Sequence, residues 1–111
     1  MKRIAFDDFN KIDIRAGRVE RVEEFPGARK PAYRLWIDFG RLGVKKSSAQ
    51  ITDLYSPEDI TGRTVLAVVN FEPKQVADFM SEVLVLGVVR EEGDVVLIGP
   101  DRDVMPGLRV R

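Results

Sequence analysis

A chain of 111 residues is long enough for one domain with one hydrophobic core, and 44% hydrophobic against 32% charged residues is the balance of a folded protein, not a disordered one. Its 18 basic and 18 acidic side chains cancel to a formal net charge of zero, so it lacks the gross positive charge that drives most nucleic-acid binding. With no Cys and no His, disulfides, the usual zinc ligand sets and Ser-His or Cys-His nucleophile pairs are excluded, which fits a reducing cytoplasm.

No apolar run approaches the ~20 residues of a membrane-spanning helix. Asp7 and Asp8 interrupt the only apolar stretch after Lys2 and Arg3, so neither membrane insertion nor a secretory signal is expected. Residues 1–12 carry Ile4, Phe6, Phe9 and Ile12 at spacings of two or three, a short helix or turn with one apolar face. A strand follows over 14–22. Ile12, Ile14 and Ala16 share a face, Val19 and Val22 shift phase, and Gly17 at the break predicts a bulge. Phe25-Pro26-Gly27-Ala28 is a turn.

After Pro31 comes the clearest alternation in the chain. Tyr33, Leu35, Ile37 and Phe39 form a core-facing set, while Ala32, Arg34, Trp36 and Asp38 face the other way. Gly40 and Gly43 bracket a hairpin turn into a polar strand over 44–52. Ser56-Pro57-Glu58-Asp59 is a helix start with Ser56 as N-cap, and Gly62 keeps that helix brief. The runs 64–70 and 83–89 are almost continuously apolar and are expected to be buried on both sides. Glu91-Glu92-Gly93-Asp94 turns the chain into a returning strand over 95–98, and Pro106-Gly107 precedes a last short segment. Five or six short strands with one small helix and Gly-marked bends predict an all-β barrel.

Charge is unevenly placed. Residues 26–48 hold six basic side chains (Arg29, Lys30, Arg34, Arg41, Lys45, Lys46) against Asp38, so this segment is +5 and the remainder −5. Such a segment either forms a local anion-binding face or is a solvated strand and turn. Within it Ser47, Ser48 and Gln50 follow the two lysines. Small hydroxyls and an amide can donate to phosphate or ribose oxygens, but the same strand reads equally as an edge kept polar against aggregation. Asn70-Phe71-Glu72-Pro73-Lys74 is a rigid turn with an aromatic candidate for exposure. Trp36, Phe71, Phe79 and Met80 are the apolar residues hardest to place in the core, and suit peptide recognition, base stacking or a subunit interface. Asp38-Phe39-Gly40 spells the kinase magnesium tripeptide, but the chain is too short for a kinase and lacks its companion motifs. Carboxylates, Lys and Tyr show no catalytic grouping, so an enzyme is disfavoured and no cofactor is expected.

The ordered set Asp13-Ile14-Arg15-Ala16-Gly17, Pro31-Ala32-Tyr33, Ile37-Asp38-Phe39-Gly40, Ser47 to Thr52, Asn70 to Lys74, Ser81 to Gly87 and Val95 to Asp101 resembles the CsaA family of export-related chaperones. That family belongs to the tRNA-binding OB-fold domains also appended to some methionyl- and tyrosyl-tRNA synthetases. The resemblance implies a five-stranded OB barrel with one short helix and terminal extensions, spanning 1–111 as a single domain. It implies a cytoplasmic homodimer that binds tRNA and unfolded preprotein segments; a module that docks onto a synthetase or translocation factor is the alternative. On this reading the RNA-binding residues are Arg29, Lys30, Arg34, Lys45, Lys46, Ser47, Ser48 and Lys74. The peptide-binding residues are Trp36, Phe71, Phe79 and Met80. The apolar ends (Ile4, Phe6, Phe9; Val104, Met105, Leu108, Val110) have little core left to enter and are expected to fray unless a second copy covers them.

Overall fold

The alternation around Leu35 becomes the middle of a curled sheet in the computed structural model, which describes residues 1–111. Nine strands occur, β1 (Ile14–Glu24), β2 (Tyr33–Asp38), β3 (Val44–Ala49), β4 (Thr64–Val68), β5 (Lys74–Val76), β6 (Phe79–Ser81), β7 (Leu84–Val85), β8 (Gly87–Val89) and β9 (Val95–Leu97), with two short helices, α1 (Phe6–Asn10) and α2 (Pro57–Ile60). Five strands form one antiparallel sheet in the order β3-β2-β1-β4-β7. The sheet curls until its two ends meet. Backbone N–H groups of Glu82 and Val83 donate to the Lys46 carbonyl at 2.8 and 3.3 Å, and the Glu82 carboxylate accepts from the Lys46 N–H at 2.9 Å. The result is a nearly closed five-stranded, OB-fold-like barrel.

Leu35, Ile37 and Phe39 of the predicted inward set are fully buried and Tyr33 nearly so, joined by Val19, Val65 and Ala67 from the neighbouring strands. Ile60 plugs one end of the barrel from α2. That helix starts as its sequence dictates. Ser56 accepts from the Asp59 N–H and the Asp59 carboxylate accepts from the Ser56 N–H, bonds that hold the Asp59 carboxyl below its ordinary range. Burial pushes the Tyr33 phenol up; it donates to the Tyr55 carbonyl at 2.8 Å, and the Tyr55 hydroxyl accepts from the Leu97 N–H at 3.0 Å, anchoring β9.

Residues 6–10 close the short helical turn expected ahead of β1, a second helix beside α2. Three expectations change. The bulge falls at Glu20, where the β1–β2 register slips between Val19 and Arg21. Gly17 serves close packing instead: a Cβ there would lie 2.5 Å from the Phe39 ring and 2.6 Å from an Ile37 methyl. The run 83–89 is not one buried strand. Leu84 is exposed on β7, the end strand of the sheet, and Val88 and Val89 are exposed because β8 leaves the barrel to pair with β9 alone as a two-stranded ribbon. The hairpin β5–β6, unmarked by alternation, is an addition to the expected strands.

The C-terminal segment docks on its own barrel by backbone, which corrects the expected fraying. Along β1, Ala16 N–H donates to Leu108 O, Val110 N–H to Ile14 O and Gly107 N–H to Ala16 O, at 2.7–2.9 Å. Asp13 clasps both partners, taking the Arg15 guanidinium at 2.6 Å and facing Arg109 at 3.7 Å. The hydrogen bond from Arg15 lowers the Asp13 carboxyl, and the charges of Arg15 and Arg109 reinforce that against partial burial. Two glycines in the left-handed region interlock nearby. A Cβ on Gly40 would sit 2.5 Å from the Pro106 carbonyl oxygen, and one on Gly107 would sit 2.5 Å from that of Phe39. Side chains at both ends nevertheless stay outside, with Phe6 73% and Leu108 54% exposed.

Candidate nucleic-acid interface

Residues directly opposite in antiparallel strands share a face, so the register assembles two rows on the outside of β1, β2 and β3. One row is Glu23, Arg34 and Ser48; the other is Arg21, Trp36 and Lys46. The hairpin β5–β6 folds over this face and delivers Phe79. Its ring packs edge-on to Trp36 at 5.8 Å and to Phe25 at 5.6 Å, and these residues with Ala32 form a second, smaller apolar cluster. Three cations lie over three rings. Arg21 stands 4.5 Å from the Trp36 ring, Lys46 stands 5.2 Å from Phe79, and Arg34 stands 5.3 Å from Phe25.

The cations are held in place without being fully spent. Glu23 takes Arg21 and, at 3.2 Å, Arg34, while the Arg34 Nε is buried with no partner. Ser48 lies half-buried, its N–H donating to the Ser81 hydroxyl at 3.0 Å. Arg29 and Lys30 are exposed on the loop after β1, and Arg29 borders a shallow cavity of about 390 Å³ beside Phe25 and Ala32. Lys74 and Met80 are exposed on the hairpin, and Phe71 is 55% exposed just before it.

Three of the sequence-selected residues sit elsewhere than their proposed roles require. Ser47 is fully buried on the inner face opposite Leu35, its hydroxyl donating to the Ser48 carbonyl at 3.2 Å, so it offers no atom to a ligand. Lys45 shares the inner row with Ile37 and therefore lies across the sheet from Lys46. Phe79 is buried between its own hairpin and the rings of Trp36 and Phe25. Arg21, Phe25 and Glu23 are members that sequence reasoning passed over. The signal for Arg21 was the phase shift after Gly17, which puts Arg21 and Glu23 on the same outer side as Trp36. Asn70 is a structural latch: its amide donates to the Lys11 carbonyl at 2.8 Å and accepts from the Asp13 N–H at 2.9 Å.

Guanidinium and ammonium groups set over a largely buried aromatic cluster can bind phosphate oxygens, while the partly exposed Trp36 and the exposed Phe71 offer rings to a base or an apolar side chain. Residues 14–109 match the family described as "Putative tRNA binding domain". The fold superposes on the solved chaperone CsaA of Bacillus anthracis with a TM-score of 0.95 at 55% identity, over 99% of this chain and 100% of that one. CsaA of Picrophilus torridus gives 0.92 at 48% identity, over 98% of this chain and 100% of that one. Among curated proteins, a methionine–tRNA ligase of Thiobacillus denitrificans is 34% identical over 97% of this chain, which spans 16% of that enzyme's length. The chain belongs to this tRNA-binding domain family, and within it to the CsaA family.

Proposed function

We propose that residues 1–111 act as one non-catalytic binding domain that holds tRNA on the outer face of β1–β3. The observation that carries this reading is the cluster of Arg21, Arg34 and Lys46 poised over Trp36, Phe25 and Phe79 on one face. Arg29, Lys30 and Lys74 extend its charge, and Ser48 adds a small hydroxyl. Few of these groups suit the reading of base edges, so recognition rests on backbone and RNA shape. The same face, with Phe71 and Met80 exposed beside it, receives apolar stretches of unfolded preprotein in an export-chaperone role, making tRNA and peptide competitors. A tRNA ligand sets this work in the cytoplasm. The protein acts as a homodimer through the exposed apolar side chains of its two ends.

Titration of folded tRNA over a range of salt tests the first claim. Four or five phosphate contacts give a log-log slope between about −3 and −5. Different tRNAs should compete within a few-fold, and a denatured preprotein should displace them. A slope near zero would defeat RNA binding through this face and favour a module that docks on another protein.

A further inference from the structure

A second cavity, a basic one, lies on the barrel beside the aromatic face. It occupies about 570 Å³, between the outer side of β1, the start of β4 and the 98–103 segment, and Arg18, Arg63 and Arg102 line it. None of the three makes an ion pair within the chain, although Asp101 and Asp103 line the same cavity. The lining charge is +1, and the exposed Arg18 and Arg102 have guanidiniums free to fork onto an oxyanion beside Arg63. Asp38 faces Arg18 across β1–β2 and accepts from the Gly40 N–H at 2.8 Å, a bond to a neutral donor that leaves its charge in place.

The frame of this cavity is rigid. Gly62 N–H donates to the Val19 carbonyl and Val19 N–H to that of Arg63, at 2.8 and 2.9 Å. The Arg63 guanidinium rests 5.2 Å from the Tyr55 ring, whose hydroxyl is itself fixed by Leu97. Gly99 lets the 98–103 segment close on β4, since a Cβ there would lie 2.8 Å from the Thr64 carbonyl oxygen. Arg63, held against Tyr55 in this way before binding, loses less entropy when a ligand arrives, while Arg18 and Arg102 stay exposed. Arg18 and Arg21 flank the Glu20 bulge on the same outer side of β1, so the cavity adjoins the Arg21–Trp36 row.

We propose that this cavity is a second phosphate site, in which Arg18, Arg63 and Arg102 hold a backbone phosphate of the same RNA. The inference rests on the tRNA-binding reading above. It places phosphate contacts outside the 26–48 segment, where the net charge of the remaining chain would argue against them.

The test uses the full chain with Arg18→Ala and Arg102→Ala together; Arg63 is left because it packs on Tyr55. The tRNA salt slope should become shallower by about 0.7 to 0.9, the share of one phosphate contact, with several-fold weaker binding at low salt. A variant with wild-type affinity and slope would overturn the proposal. Pyrophosphate titrated into ¹⁵N-labelled protein should shift the amides of Gly62, Arg63, Gly99 and Arg102, and do so far less in the variant. Absence of those shifts in the wild type overturns the site independently of RNA. If the wild type binds no tRNA yet shows them, the outer-face reading falls, and the cavity belongs to a free phosphate compound instead of RNA.

Discussion

Neighbours in a strand do opposite things, and Lys45 and Lys46 make the point. Lys46 stands over Phe79 on the outer face, whereas Lys45 lies in the inner row with Ile37. Lys46→Ala should therefore weaken tRNA binding and flatten its salt slope by about one contact, ~0.7–0.9. Lys45→Ala should change the slope by less than half as much, measured by the same anisotropy titration. Equal effects would mean that the ligand wraps past the strand edge. From sequence the two serines look like a unit because both are small and polar. The inward run was nonetheless visible: Ser47, Ala49 and Ile51 alternate, and all three are buried. A hydroxyl that returns its proton to the adjacent carbonyl can enter a core at modest cost, which hydrophobicity alone does not reveal.

At the level of elements, long alternating strands were legible and short ones were not. β2 could be placed residue by residue, since four inward side chains leave no other register with a filled core. The three-residue strands β5 and β6 carry too few positions for a period to emerge, yet they bring Phe79 to Trp36 and complete the site. The turn before them was recognised as rigid, but its reason lies far off in sequence. Asn70 holds the segment 11–13 through two hydrogen bonds. Asn70→Ala should cost about 1 kcal/mol in urea unfolding, because both bonds are solvent-accessible. Hydrogen exchange at the Asp13 amide should accelerate, while tRNA affinity stays within a few-fold. A loss of RNA binding without faster exchange would make Asn70 a ligand contact instead of a latch.

The whole molecule is held together at one end by the Asp13–Arg15–Arg109 clasp, and this sets an acid limit. The folded Asp13 carboxyl titrates below its unfolded value near 3.9, so its contribution is complete above that pH and disappears as pH falls through the folded value. Asp94, lowered by its hydrogen bond to Arg90, acts in the same direction. Urea unfolding at pH 5 and pH 3 should show a smaller loss of stability for Asp13→Asn than for wild type. Equal losses would remove the clasp from the pH response. The proposed homodimer belongs to the same end of the molecule. Backbone pairing ties 107–110 to β1 but leaves Phe6, Met105 and Leu108 facing outward, an apolar set that a two-fold partner would cover. Sedimentation should give a dimer for wild type and a monomer for Phe6→Asp with Leu108→Asp, with unchanged circular dichroism. A monomeric wild type at micromolar concentration would end the proposal. Those ends were legible as apolar, but not as docked, since main-chain pairing leaves no mark on side-chain chemistry.

The interlocked glycines at 40 and 107 carry an implication for how such a chain can drift over generations. Each occupies a left-handed backbone conformation, and each would drive a methyl group into the main chain beside the other. No replacement at one position makes room for a replacement at the other, because the obstacle is a peptide carbonyl present whatever the side chain. The usual compensatory route, a large residue here answered by a small one there, is closed. Two positions far apart in the sequence are thus each confined to glycine, separately and for the same reason.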